Sequence, residues 1–181
     1  MHVKAKTLAF SGLLLALTIV FMALGSIIET STLFLLAAAS FFVGIVIREF
    51  GLKAGAAFYI AAVLLGFITA PNKFYVFTFA AMGFYIWGIE AVWRLLEKRP
   101  QMPNRRIIFW ISKYIIFNIV YIPVVLIFRN LLFSTSVSDA ILLGVIAGGQ
   151  IGLLIYDKAY EYVQAHMWGK IRGRWISDGR M

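Results

Sequence analysis

The chain has 181 residues, of which 62% are hydrophobic and 14% charged, with a mean hydropathy of +0.88 and a formal net charge of +9. Water-soluble domains are about half apolar and a quarter charged, so the composition excludes a soluble globular protein and predicts an all-α integral membrane protein. No cysteine is present, which excludes both a disulfide framework and a thiolate metal site.

A spanning helix needs about 20 mostly apolar residues. Six such runs occur, at about 7–28, 32–47, 54–70, 74–93, 107–128 and 138–156. They occupy most of the chain, so residues 1–181 read as a single six-helix domain with a basic tail over 157–181 and no separate soluble domain.

The first run follows Lys4 and Lys6, and its Ala23-Leu24-Gly25 resembles a signal-peptide cleavage site. It is longer than a usual signal core, and its lysines fit a retained first span. Small residues three or four apart allow helices to approach closely in lipid, and Ala9, Gly12 and Ala16 form such a face. Glu29 falls between spans one and two. The third span has two small-residue faces, one from Ala54, Ala57 and Ala61 and the other from Ala62, Gly66 and Ala70.

Pro71-Asn72-Lys73 precede the fourth span, in which Tyr75, Thr78, Met82 and Tyr85 form a line. Glu90 and Arg94 stand four residues apart, and the spacing predicts an ion pair along one helix. The fifth span contains KYIIFNIVYIP. At 100° per residue, Tyr114, Asn118, Tyr121, Val125 and Arg129 fall within about 80° of one another and make one polar-aromatic stripe. Pro123 lies opposite and predicts a bend. Lys113 points away from the stripe, and its long stem is expected to carry the charge to the headgroups. Asp139 precedes the sixth span, where Gly144, Gly148 and Gly152 share a ridge and Gln150 sits deeper. Trp168 and Trp175 stand among basic residues in the tail, a composition suited to a membrane surface.

The 17 basic residues sort to alternate ends of the spans. On one side are Lys4, Lys6, Arg48, Lys53, Arg94, Lys98, Arg99, Arg105, Arg106, Lys158, Lys170, Arg172, Arg174 and Arg180. The other side has Lys73 and Arg129, with Lys113 inside the fifth span. The positive-inside rule then predicts that both termini are cytoplasmic. The net charge belongs to loops facing anionic lipid and calls for no nucleic-acid partner.

His2 and His166 are the only histidines and both lie near the termini, so no zinc or haem site is expected. HExxH, GxSxG, phosphate-loop and paired-carboxylate patterns are missing, so neither an enzyme nor a bound cofactor is expected. Glu29, Asn72, Lys73, Arg129 and Asp139 are expected near an external mouth, with Tyr75, Thr78, Tyr85, Asn118, Tyr121 and Gln150 below it. Two arrangements fit these residues. They could line an aromatic cavity for a small molecule, or Asn118 could bond across to another helix while the tyrosines fill the interface.

With six spans in under 200 residues, both ends inside and a basic amino terminus leading into an alanine-rich first span, the chain resembles the substrate-binding S components of energy-coupling factor vitamin transporters. The REFGLKAGA turn is similar to that family's tight glycine-containing loop. DAILLGVIAGGQIGLLIYDKAYEYV resembles its glycine-rich last span and basic tail. The resemblance implies a protein of the bacterial cytoplasmic membrane that captures a vitamin-like solute. Its partners would be a transmembrane coupling subunit and two cytoplasmic ATPases. Family members dock through AxxxA faces on spans one and three; the nearest matches here are Gly12 with Ala16 and Ala57 with Ala61, the first with glycine in place of alanine. The family's solute site draws on the outer loops and spans four to six. No signature of a particular vitamin is present, and the amino-terminal histidine cluster of metal-binding members is absent apart from His2. Two other classes stay open, a scaffolding protein of cell-shape or cell-wall assembly and a small oligomeric channel. A channel calls for a polar path through the inner half, where spans four and five become mostly apolar.

Overall fold

The computed structural model describes residues 2–127 and 139–170, and every regular element among them is helical. In chain order these are α1 (His2–Ile27), a 3-10 turn (Glu29–Ser31), α2 (Thr32–Phe50), α3 (Leu52–Thr69), α4 (Lys73–Glu97), α5 (Arg105–Ile127) and α6 (Asp139–Tyr162), which runs into a π-helical turn (Val163–Trp168). Among the described residues, six helices are long and apolar enough to cross a membrane, one for each predicted span. Several outrun the apolar segments that predicted them. α4 continues to Glu97, and α6 continues through Asp157 to Tyr162, because a helix needs only favourable backbone geometry and can carry charges past the edge of its apolar face.

The chain divides after Phe109 into two compact units. In the first, α2 is the central helix and packs against α1, α3 and α4. Leu36, Ala39, Val43, Val46 and Ile47 on α2 are fully buried. Close approach at this core is made possible by glycines. A Cβ at Gly55 of α3 would overlap Ile47, and one at Gly83 of α4 would come within 2.7 Å of the Tyr59 ring. Gly51 makes the turn between α2 and α3 with φ +95°, a left-handed conformation that side chains other than glycine adopt at a cost. Of the two predicted small-residue faces on α3, the one formed by Ala62, Gly66 and Ala70 is buried, whereas Ala57 is exposed and Ala61 half-buried. Thr18 and Ser40, buried in the same unit, return their hydroxyls to backbone carbonyls of their own helices, Thr18 Oγ1 to Leu14 at 2.8 Å and Ser40 Oγ to Ala37 at 2.6 Å.

The second unit contains α5 from Trp110 onward, α6 and the π-helical turn. α5 passes through Pro123 and is described as far as Ile127. Among its described residues, Val125, Leu153, Tyr160 and Trp168 are buried apolar side chains, and Lys113, Asp157 and Gln164 buried polar ones.

Candidate functional site

The polar side chains of the second unit meet between α5 and α6 at three levels. At the first, Lys113 is buried, with its Nζ 2.7 Å from Asp157 Oδ2 and 2.8 Å from Glu161 Oε1. Asp157 and Glu161 are one helical turn apart on α6, so both carboxylates face one ammonium. The Trp110 ring covers the same charge, 5.0 Å from Nζ. This corrects the expectation that Lys113 reaches out to the headgroups. An inward salt bridge holds it, because α6 extends far enough to bring Asp157 opposite.

At the second level, Asn118 Nδ2 donates to Gln150 Oε1 at 3.2 Å and Gln150 Nε2 donates to Asn118 Oδ1 at 2.9 Å, closing a reciprocal amide pair. The second Asn118 amide proton has the Tyr114 carbonyl at 2.9 Å from Nδ2. At the third level, Tyr121 Oη donates to the Val145 carbonyl at 2.8 Å, and its ring stacks on Phe117 with centroids 4.8 Å apart. A Cβ at Gly149 would overlap the Tyr121 ring, so glycine is what lets the phenol cross α6 at backbone level. Asn118, Tyr121 and Gln150, all named from the sequence, are thus brought together and bonded within one helix pair. Gly149, Asp157 and Glu161 were missed. The signal for the two carboxylates was their i, i+4 spacing on an extended α6.

In the first unit, Glu29 is exposed in the 3-10 turn. Asn72 is the N-cap of α4, its Oδ1 accepting from Phe74 N at 3.0 Å. Lys73 turns back to the last turn of α3, donating from Nζ to the carbonyls of Phe67 at 2.5 Å and Ala70 at 2.9 Å. Thr78 Oγ1 donates to the Phe74 carbonyl at 3.2 Å, Tyr75 is half-buried and Tyr85 is buried. Tyr59 Oη, which drew no attention in the sequence, ties α3 to α4 through the Ala80 carbonyl at 2.8 Å. Asp139 is the first residue of α6, and Arg129 lies outside the described residues.

The predicted Glu90–Arg94 pair is not among the salt bridges of the described residues. Glu90 is instead bound by Arg48 of α2, through Nε at 2.7 Å and Nη2 at 2.6 Å. Arg94 donates to the Ile47 carbonyl near the end of α2. Tertiary packing places an arginine from another helix against the buried carboxylate, and the Ile47 carbonyl in the last turn of α2, which also accepts the Gly51 N–H at 2.9 Å, takes the second guanidinium at the negative end of that helix.

Ala9, Gly12 and Ala16 of α1 are exposed, as is Ala57 of α3, and a Cβ at Gly12 would meet nothing within 4 Å. Gly144, Gly148 and Gly152 of α6 are likewise open. Among the described residues, no group of three His, Cys, Asp or Glu could hold a metal ion.

No protein-family model, curated protein or solved structure matches this chain.

Proposed function

We propose that this protein is a solute-binding membrane subunit of an energy-coupling-factor-type importer, set in the bacterial cytoplasmic membrane with both termini in the cytoplasm. It would capture a vitamin-like small molecule from outside and pass it inward when a coupling subunit and two ATPases drive the cycle. The observation that carries this reading is the open small-residue face of α1, Ala9, Gly12 and Ala16, with Ala57 open on α3. Small residues let a partner helix approach to backbone distance in lipid, where van der Waals contact does much of the work of association. Asn118, Tyr121 and Gln150 would serve the solute by exchanging their mutual hydrogen bonds for bonds to it. A paired amide keeps donors and acceptors satisfied while the solute is absent.

Gentle purification followed by mass spectrometry of retained small molecules and co-purifying proteins tests this. A vitamin-sized solute that is lost on Asn118→Ala, together with coupling partners that are lost on Gly12→Leu, is the expected result. Recovery of neither overturns the proposal.

A scaffolding role in cell-wall or cell-shape assembly is the second reading. The observation that favours it is that the amides of Asn118 and Gln150 and the Tyr121 hydroxyl are already satisfied by protein groups. Co-purification with cell-wall assembly proteins and no small molecule would select it.

A further inference from the structure

The turn between α4 and α5 collects charge that the rest of the first unit does not neutralise. Residues 93–109 contain five basic side chains, Arg94, Lys98, Arg99, Arg105 and Arg106, and one carboxylate, the exposed Glu97. Arg94 is occupied by the Ile47 carbonyl. Among the described residues, no hydrogen bond or ion pair holds the side chains of Lys98, Arg99, Arg105 or Arg106. Lys98, Arg99 and Arg106 are exposed, while the Nε of Arg105 is enclosed without a hydrogen-bond partner.

The turn holding them is well formed. Lys98 N donates to the Arg94 carbonyl at 3.4 Å, Arg99 N to Leu96 at 3.2 Å and Met102 N to Arg99 at 3.2 Å. Asn104, at φ 58°, reverses the chain into α5, and its carbonyl receives the Ile108 N–H at 3.0 Å. Trp93 and Phe109, with ring centroids 5.2 Å apart, join the last turns of α4 to the first of α5, so the basic residues on either side of the turn share one end of the unit. No acidic residue occupies the first turn of α5, whose free N–H groups add positive potential there. Directly along both helices from these charges, Trp93, Leu95 and Ile107 are exposed.

Cations at a rim above an exposed apolar band complement an amphiphile with an anionic head. We propose that the α4–α5 turn is a binding site for an anionic phospholipid, with Lys98, Arg99, Arg105 and Arg106 on the phosphate and the acyl chains against Trp93, Leu95 and Ile107. Each basic residue near a membrane surface favours anionic lipid by an amount equivalent to about a fivefold change in affinity. The site depends on the chain being embedded in a bilayer and is independent of any solute or coupling partner.

The test is native mass spectrometry of the full chain released from nanodiscs containing equal phosphatidylglycerol and phosphatidylcholine. Wild type is expected to retain phosphatidylglycerol preferentially, and Lys98→Gln/Arg99→Gln/Arg105→Gln/Arg106→Gln to lose that preference. Because those charges also help to orient the chain during insertion, Arg99→Gln/Arg106→Gln provides a milder variant, expected to lower the preference by about 25-fold. Lys53→Gln, at an exposed basic residue of the same unit outside the turn, is the comparison and is expected to lower the preference by no more than about the fivefold of a single surface charge. Glycerol 3-phosphate, which has the head chemistry without the chains, is expected not to displace the bound lipid at millimolar concentration. Equal phosphatidylglycerol retention by wild type and the double variant overturns the proposal, and displacement by glycerol 3-phosphate shows a phosphate site in place of a lipid site.

Discussion

Replacing Lys113 by methionine keeps the length of the side chain and removes its charge. The Lys113 and Asp157 side chains are 3% and 2% exposed and lie 2.7 Å apart, so solvent screens the pair little. Removing one member of such a buried pair leaves the other uncompensated, at a cost of about 3–5 kcal/mol. Glu161, 47% exposed, contributes at the level of a partly solvated ion pair, no more than about 1 kcal/mol. Lys113→Met, which strands Asp157, is therefore expected to destabilise by about 3 kcal/mol or more, Asp157→Leu, after which Lys113 keeps Glu161 at 2.8 Å, by less than that, and Glu161→Gln by less than about 1 kcal/mol. The double variant Lys113→Met/Asp157→Leu is expected to be more stable than Lys113→Met alone, since the stranded buried carboxylate is gone. Denaturant titration of the purified protein in mild detergent, followed by far-UV circular dichroism, measures all four. A near-neutral Lys113→Met would refute the reasoning and return the lysine to the headgroup role read from the sequence. Strictly additive single effects would refute the pairing.

The reciprocal amides predict the same pattern on a smaller scale. Asn118→Leu alone is expected to cost about 1–2 kcal/mol by orphaning Gln150, with much of that recovered in Asn118→Leu/Gln150→Leu, as the same titration would report. Gly149→Ala is expected to displace the Tyr121 ring and break its bond to Val145, lowering the thermal midpoint in detergent. Gly148→Ala, where a Cβ meets nothing within 4 Å, is expected to raise stability by up to about 1 kcal/mol through helix propensity.

The six helices could be read from the sequence because apolar run length is a property of each segment alone. Their pairing could not, since it depends on distances between segments. Hydropathy falls at YDKAYEY, which put the end of the last span at residue 156 and Asp157 in the tail. α6 continues to Tyr162, six residues past that point, and the shortfall separated Lys113 from its counter-charge. The Glu90 and Arg94 spacing pointed to a contact within one helix, yet Arg48, 42 positions away in the chain, occupies the carboxylate. Periodicity identified both small-residue faces of α3 without distinguishing them. The structure separates them by packing Gly66 against Met22 and Val76 and leaving Ala57 open. For the candidate site, the sequence supplied Asn118, Tyr121 and Gln150 as a set. It left open whether they face a hollow or one another, and the amide pair is that second arrangement for Asn118 and Gln150.

The ring closed by Asn118 and Gln150 acts as a vernier between α5 and α6. A slide of one helix by a single residue would carry its amide about 1.5 Å along the axis and rotate it by about 100°. Both bonds would then fail together, since neither amide can turn to follow the other without abandoning its remaining contacts. Lys113 reaching two successive turns of α6 and Tyr121 reaching a main-chain carbonyl tolerate small shifts, whereas the amide ring does not. Apolar side chains along the rest of this seam would accept several neighbouring alignments, and one pair of uncharged groups selects among them.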